Sequence, residues 1–371
     1  MLVRPSFVLG GRAMVIVHTE ADLQKYMAEA EAVSEGRAIL IDRFLEEATE
    51  LDVDCLSDGE HCVIGAIMEH VELAGIHSGD SACSIPTRTL SKDILDRVRS
   101  FAYAFARELH VCGLMNMQLA VHGDTIYMIE VNPRASRTVP FVSKATSRPL
   151  AKLASLCMIG KTLPELGVAK EIEVPYTAFK EAVFPFVKFP GVDITLSPEM
   201  KSTGEVMGID LEEGVAYLKS QMAAGNAIPE KGGVLVSFKD SDKAAGVEAC
   251  RRLREFGFEL YATRGTATRL WNSGIKCHGV YRISYGRPNI LDLMNEGLIG
   301  WIVNTPESGG VAMEDEIRMR SAAVALGIPV TTTIAGLLSA LEGLTESVDA
   351  GRLAVCSLQE YHRMLLEKNT P

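Results

Sequence analysis

The 371-residue sequence holds no apolar run near the roughly 20 residues that a bilayer-spanning helix needs, which excludes a helical membrane class. Its opening residues contain an early arginine, Arg4, but no apolar core followed by a small-residue cleavage site, so no secretory signal is read. The eight cysteines (Cys55, Cys62, Cys83, Cys112, Cys157, Cys250, Cys277 and Cys356) include no C-x-x-C pair, and the eight histidines show no ligand spacing. Most of the cysteines sit in apolar stretches and read as reduced core thiols rather than a disulfide or zinc framework. A cytoplasmic or organelle-interior setting is the expectation. Positive charge is scarce too: 37 Lys and Arg stand against 48 Asp and Glu, a net charge of -11. That balance argues against nucleic acid as the main partner, because phosphate-backbone binding needs a basic surplus on some face. Internal repeats, low-complexity segments, the Walker pattern and the dinucleotide fingerprint are all missing.

What is present is globular. Hydrophobic residues make up 47% and charged residues 23%, and the length exceeds what one core comfortably supports, so two domains are expected. The chain opens on a strand-like run, Leu2 to Pro5, and so abrupt a start predicts that something upstream is missing. A helix is expected over Ala21 to Val33, closed by Gly36, then a strand over Ala38 to Phe44 that ends in an acidic stretch, Glu46 to Glu50. Strands come next over Leu51 to Cys55 and Cys62 to Met68, joined by a turn with Asp58 and Gly59. Ser91 can cap a long helix carrying Ile94, Leu95, Val98, Phe101, Ala102, Phe105 and Leu109. Leu114 to Val121 and Thr125 to Val131 read as an antiparallel hairpin around His122, Gly123 and Asp124. This first part, residues 1–223, reads as α+β. From 224 to 371 strand and helix patterns alternate: Val234 to Phe238, Lys243 to Phe256, Glu259 to Ala262, Trp301 to Val303, Glu314 to Leu326, Val330 to Thr332. Alternation of this kind predicts an α/β domain with a parallel sheet.

The strongest local signal is Met128-Ile-Glu-Val-Asn-Pro-Arg134. Residues two apart on a strand share a face, so Glu130 and Asn132 point the same way, and a three-residue hairpin loop would bring Gln118 to that face. Three oxygen-bearing side chains suit Mg²⁺ bridging nucleotide phosphates, with Arg134 and Arg137 in reach of transferred phosphate. A solvated polar strand face is the alternative; Glu130 follows an apolar run and precedes Pro133, which makes the strand end look internal. The loop Ser6 to Arg12, with Gly10 and Gly11, could let backbone N–H groups approach phosphate beside Arg4, or could be a plain turn. The run His77-Ser78-Gly79-Asp80 reads on its own as a surface turn. Thr263 and Thr266 bracket Gly265 at an expected helix start, either an anion site or ordinary caps.

The order of these pieces resembles a known family. V-R-P-S-F-V-L-G-G-R-A-M, M-E-H-V-E-L-A-G-I-H-S-G-D-S-A-C-S, G-L-M-N-M-Q-L-A-V and I-E-V-N-P-R-A-S-R-T-V-P-F-V-S-K-A-T are similar to the second synthetase half of carbamoyl phosphate synthetase large subunits. The resemblance continues through K-F-P-G-V-D and S-T-G-E-V-M-G. It implies a partial ATP-grasp domain followed by a methylglyoxal-synthase-like, Rossmann-type allosteric domain. It also implies an ATP-dependent ligase that phosphorylates carbamate to carbamoyl phosphate for pyrimidine and arginine synthesis. Under it, Arg4 contacts nucleotide phosphate and the Gly10–Gly11 loop closes over it. Phe44 and Leu45 meet adenine, Glu50 holds the ribose, and Gly75, His77 and Ser78 line the site. Gln118, Glu130 and Asn132 hold two Mg²⁺ or Mn²⁺ ions, with K⁺ as a further ion, and Arg134 and Arg137 steady the transferred phosphate.

The same resemblance places an allosteric nucleotide, UMP or IMP, at Ser237, Lys243, Thr263, Thr266, Arg282, Asn304 and Thr305, and ornithine at Glu72, Asp80, Glu181 and Thr332. Arg282 and Pro306 depart from the enterobacterial lysine and threonine, which leaves the effector open. The implied partners are a glutaminase small subunit and the N-terminal part of the large subunit, including the start of the small ATP lobe. Two alternatives are an inactive nucleotide-binding regulatory fragment and a methylglyoxal-synthase-type lyase. The lyase is disfavoured because Asn304 stands where a catalytic aspartate is expected, and an amide cannot act as a carboxylate base.

Overall fold

The computed structural model of the chain describes residues 1–6, 10–34, 36–189, 194–305, 310–349 and 353–369. Residues 7–9 of the glycine loop, 190–193 of the K-F-P-G-V-D string, and Pro306 lie outside the described residues. The described strands form three sheets, of three, seven and five strands.

In the smallest sheet β1 (Leu2–Pro5) lies between β2 (Val15–Ile16) and β3 (Ile39–Asp42), antiparallel to both. Helix α1 (Glu20–Ser34) covers it, burying Ala30 against Val3 and Val17. Its start is fixed reciprocally: Thr19 Oγ1 accepts from the Asp22 amide at 3.1 Å while the Thr19 amide donates back to Asp22 at 3.2 Å.

The seven-stranded sheet contains β4 (Thr49–Asp58), β5 (Cys62–Leu73), β6 (Cys83–Ile85), β7 (Cys112–His122), β8 (Thr125–Asn132), β9 (Thr177–Val183) and β10 (Gly204–Asp210). Its order is β10-β9-β6-β5-β4-β7-β8, and every pairing is antiparallel. Alternation along β4 divides its side chains between two faces. Leu51, Val53 and Cys55 turn toward α2 (Lys92–Glu108), whose Ile94, Val98, Ala102 and Ala106 form a stripe at spacings of four. Ser91 caps that helix, its hydroxyl accepting from the Ile94 amide. The opposite face meets α3 (Val139–Ala145) and α4 (Leu150–Met158) at the end bearing Leu56 and Met68. The hairpin differs from expectation in one detail. His122 pairs with Thr125 across a two-residue turn at Gly123 and Asp124, and a bulge between the Leu119–Met128 and Gln118–Glu130 pairs restores the shared face, though not the register, that a three-residue loop would have given.

The five-stranded sheet is parallel, as the alternation predicts, in the order β13-β12-β11-β14-β15. Its strands are β11 (Gly233–Ser237), β12 (Glu259–Thr263), β13 (His278–Val280), β14 (Trp301–Asn304) and β15 (Val330–Thr331). Helices α5 (Glu213–Ala223), α6 (Lys243–Glu255), α7 (Arg264–Asn272), α8 (Ile290–Asn295), α9 (Gly310–Leu326), α10 (Ile334–Asp349) and α11 (Leu358–Asn369) complete the chain. α5, which also packs on β9 and β10, meets α10 so closely that a Cβ on Gly214 would sit 2.2 Å from the Gly343 nitrogen. Only glycine permits that approach. One apolar core therefore runs from Phe179 and Leu218 through Leu337 and Leu341 to Val236. Among the described residues no helix is long and apolar enough to cross a membrane. All eight thiols are free, with Cys55, Cys83, Cys157 and Cys250 buried; Cys112 and Cys356 are exposed, contrary to a wholly core reading.

Candidate functional site

Because odd residues of β4 face α2, the even ones, Glu50, Asp52 and Asp54, line up on the other face. His70 Nε2 meets Asp52 Oδ2 at 2.9 Å, and His70 Nδ1 lies 3.6 Å from Glu50. Burial alone would raise Asp52, but the hydrogen bond and charge of His70, with Lys180 and Asn116, hold it below the usual carboxylate range. Burial would lower His70, and the same Asp52 contact, with Glu50, raises it instead. The two form an ion pair in the interior. Glu50 is pushed up by burial against the pull of His70, and its Oε1 accepts from the Gly75 amide at 3.2 Å. Asp54 is 1% exposed; burial lifts it to about 6 although Thr138, Ser136 and Asn116 all donate to it. Lys180, fully buried on β9, donates to the Ser78 carbonyl at 3.0 Å.

At the β8 end of this face Gln118 pairs with Glu130 and Asn116 with Asn132, so the three expected metal ligands do share one side. Asn132 Nδ2 donates to Glu130 Oε1 at 2.7 Å, and Gln118 Nε2 donates to Ser78 Oγ at 2.6 Å. The expectation that Glu130 is internal does not hold: β8 is the sheet edge and Glu130 is exposed. Apolar neighbours misled because Met128 and Ile129 are themselves exposed on that edge. Among the described residues no three His, Cys, Asp or Glu gather as a metal site. One open carboxylate with two amide oxygens fits a hard Mg²⁺ ion whose remaining ligands are phosphate and water oxygens, rather than a resident metal. Arg134 and Arg137 are exposed on the loop after β8, and Arg137 reaches the Met200 sulfur.

The residues expected to face a nucleotide gather around the same end. Arg4 pairs with Asp42 at 2.6 Å. Gly10 and Gly11 have φ of 65° and 69°, and a Cβ on Gly11 would lie 2.0 Å from the Pro198 carbonyl oxygen. The Gly10 carbonyl accepts from the Met200 amide, and the Ser197 carbonyl from the His77 amide, so segment 197–200 ties the glycine loop to the His77–Asp80 turn. Phe44 packs against Gly75, where a Cβ would come within 2.8 Å of the ring, and Leu45 is half-buried beside it. His77 is lowered chiefly by burial, and its Nδ1 accepts from the Gly79 amide at 3.0 Å.

In the parallel sheet the strand order reverses between β11 and β14, the place where open α/β sheets bind ligands at their carboxyl ends. Ser237 and Thr263 stand there with hydroxyls 3.0 Å apart. Thr266 and Thr305 hydroxyls accept from the amides of Phe238 and Lys239, which leaves each its own proton to donate. Lys243 pairs with Asp240, and its Nζ lies 3.2 Å from where a Cβ of Gly265 would be, over the first turn of α7. Arg282 is half-buried at the turn after β13. Asn304 reaches this edge but is fully buried: its Nδ2 donates to Ser237 O and Glu316 Oε1, and its Oδ1 accepts from Arg320 at 2.6 Å.

Glu72 and Glu181 are brought together, since burial and then the Glu72 charge push Glu181 up to about 8. Asp80 is not open to a ligand in the same way, because its oxygens accept from the amides of Lys201 and Ser202 at 2.7 and 2.9 Å. Thr332 lies just ahead of α10, whose Gly336 meets the Tyr217 hydroxyl. Sequence reasoning missed Asp52, Asp54, His70, Asn116 and Lys180. The signal was the alternation E-L-D-V-D at 50–54, apolar and acidic by turns, which marks a strand with one charged face.

Residues 1–166 match the family "Carbamoyl-phosphate synthase L chain, ATP binding domain", and residues 245–332 match the MGS-like domain. The carbamoyl phosphate synthase large chain of Ralstonia nicotianae is 49% identical over 98% of this chain and 34% of its own length. That of Archaeoglobus fulgidus is 50% identical over 98% and 34%. The "Carbamoyl phosphate synthase large chain, C-terminal section" of Methanocaldococcus jannaschii is 51% identical over 97% of this chain and 60% of its own length. The chain thus spans about a third of the curated large chains it matches. With the acidic sheet face in the part that matches the ATP binding domain and a five-stranded MGS-like domain after it, the chain belongs to the carbamoyl phosphate synthase large-chain family, corresponding to its C-terminal part.

Proposed function

We propose that residues 1–223 phosphorylate carbamate with ATP to give carbamoyl phosphate, within a glutamine-dependent synthetase that serves pyrimidine and arginine synthesis. The observation that carries this is the convergence of Gln118, Glu130 and Asn132 on one sheet face, beside Ser78 and ahead of the Arg134–Arg137 loop. Mg²⁺ or Mn²⁺ bound there would neutralise charge on the nucleotide phosphates; K⁺ is a further candidate ion. Arg134 and Arg137 orient the phosphoryl group, the Gly10–Gly11 loop and Arg4 hold phosphate, and Glu50 with Phe44 and Leu45 holds the nucleoside. Such chemistry is positioning and charge neutralisation, and no nucleophilic side chain is required.

Residues 224–371 are proposed to bind the phosphate of a regulatory nucleotide, UMP or IMP, at the β11/β14 crevice, with ornithine at the Glu72–Glu181 pair. A glutaminase small subunit and the rest of the large subunit are the proposed partners. Support for communication comes from Arg320, buried on α9, which donates both to Asn304 under the crevice and to Thr195, at 2.6 Å each. Thr195 precedes segment 197–200, the same segment that holds Gly10 and His77. The test is phosphoryl transfer from carbamoyl phosphate to MgADP by the purified chain, with MgADP affinity measured in parallel. ATP formation supports the reading, and a chain that binds no MgADP overturns it.

A further inference from the structure

Arg134 and Arg137 project from a short loop, residues 133–138, that hangs off an edge strand; something must hold it. Among the described residues neither arginine is anchored by a carboxylate: Arg134 donates to the Ala135 carbonyl and Arg137 to a methionine sulfur. The loop's inward side chains are Ser136 and Thr138, whose hydroxyls lie 2.8 Å apart. Both converge on one group. Ser136 Oγ donates to Asp54 Oδ1 at 2.7 Å, and Thr138 Oγ1 donates to Asp54 Oδ2 at 2.6 Å. Asn116, opposite Asn132 in the hairpin, donates to Asp54 Oδ1 at 3.0 Å.

We infer that Asp54 is the positioning residue for the phosphate-binding arginines, clamping loop 133–138 to β4, an interior strand of the sheet. The inference rests on the proposed role of Arg134 and Arg137. Asp54 is fully buried and cannot reach substrate, so it acts through the loop. An ionised carboxylate is the group that suits this task, because its two oxygens accept from three donors at once and offer none in return. Hydrogen bonds to a charged acceptor are also shorter and stronger than neutral ones, which suits a loop that has to stay fixed while charge moves beside it. Spacing R134-A-S-R137-T138 places the hydroxyls between and after the arginines, so a clamp on Ser136 and Thr138 fixes both guanidinium stems. Asn116 links the same carboxylate to β7, the strand carrying Gln118, and the metal ligands and arginines thereby share one anchor.

Asp54→Asn preserves shape but turns an N–H₂ group toward hydroxyls that were donating. Thr138→Val removes one donor, and Thr138→Ser restores it with less packing. Each is compared with the parent chain by hydrogen exchange of residues 133–140, by MgADP affinity, and by ATP formation from MgADP and carbamoyl phosphate. The expected result for Asp54→Asn is exchange at least ~10-fold faster in this peptide, ATP formation reduced at least ~30-fold, and MgADP affinity within twofold. Thr138→Val changes in the same direction and Thr138→Ser recovers. Exchange in Asp54→Asn that matches the parent, or loss in Thr138→Ser equal to that in Thr138→Val, overturns the inference. Failure of the underlying function reads differently, since parent and variants alike would then bind no MgADP.

Discussion

The two larger sheets place polar groups by opposite rules. In the antiparallel sheet one strand, β4, carries Glu50, Asp52 and Asp54 in a row along its length, the flanking strands β5 and β7 answer with His70 and Asn116, and β9 adds the charge of Lys180. In the parallel sheet the strand bodies are apolar, from Val234 to Val236 and from Trp301 to Val303, and polar groups appear at the ends as Ser237, Thr263 and Asn304. A sheet covered by helices on both faces has room for ligand groups only where strands stop. The antiparallel sheet leaves part of one face to side chains that hold charge. The first therefore gathers charged groups along a strand, and the second gathers hydroxyl and amide groups at its strand ends.

That contrast can be attacked where it is strongest, at the buried charge. Asp54 has a folded value of about 6 against 3.8 for a free aspartate, raised mainly by burial with a further push from Asp52. The folded state then holds its proton more tightly than the unfolded one. Stability from this group is present below about pH 4 and is lost as pH rises to about 6, by roughly 3 kcal/mol in all. Urea unfolding of the parent and Asp54→Asn between pH 4 and 7 should show the parent losing stability relative to the variant across that window. A pH-independent difference would mean the carboxylate does not titrate there.

The crevice of the parallel sheet offers the next test. Lys243→Ala removes an ammonium over the first turn of α7 and should weaken UMP or IMP binding about 10- to 30-fold, as expected for a charged hydrogen bond. Binding should compete with inorganic phosphate. Parent-like affinity in this variant would remove the crevice from consideration as an anion site.

How far each region was legible depends on the same contrast. In the parallel domain, apolar runs stopped by Gly257 and Gly327 marked helices and strands plainly, and the expected elements coincide with β11, β12, β14, α6 and α9. The Gln118–Glu130–Asn132 face was also legible, although through a register argument in which a bulge at residue 129 supplied what a longer loop was expected to give. Asp52 and Asp54 were not, because an acidic stretch at 46–50 drew attention to solvent, and burial of the acids after it depends on His70 and Asn116, about 20 and 60 residues away. Long-range pairing of that kind leaves no local period. Arg320 was hidden for the same reason: its acceptors Asn304 and Thr195 come from separate parts of the chain.

A smaller effect probes the link between the two regions. Thr195→Val deletes the hydroxyl that Arg320 reaches and leaves both sites untouched. Any change that UMP produces in MgADP affinity should shrink by about fivefold, near 1 kcal/mol of coupling, while each affinity measured alone stays within twofold. Coupling equal to that of the parent would place communication elsewhere, such as the α5–α10 crossing.

The central claim is that the open β8 face handles nucleotide phosphates through Glu130. Glu130→Gln keeps the shape and removes the single carboxylate that could face Mg²⁺, and Glu130 is exposed enough for the change to leave the core intact. Formation of ATP from MgADP and carbamoyl phosphate should fall at least ~100-fold in this variant, with UMP or IMP binding in the parallel domain unchanged. ATP formation at the parent rate in a variant that folds normally would contradict the account.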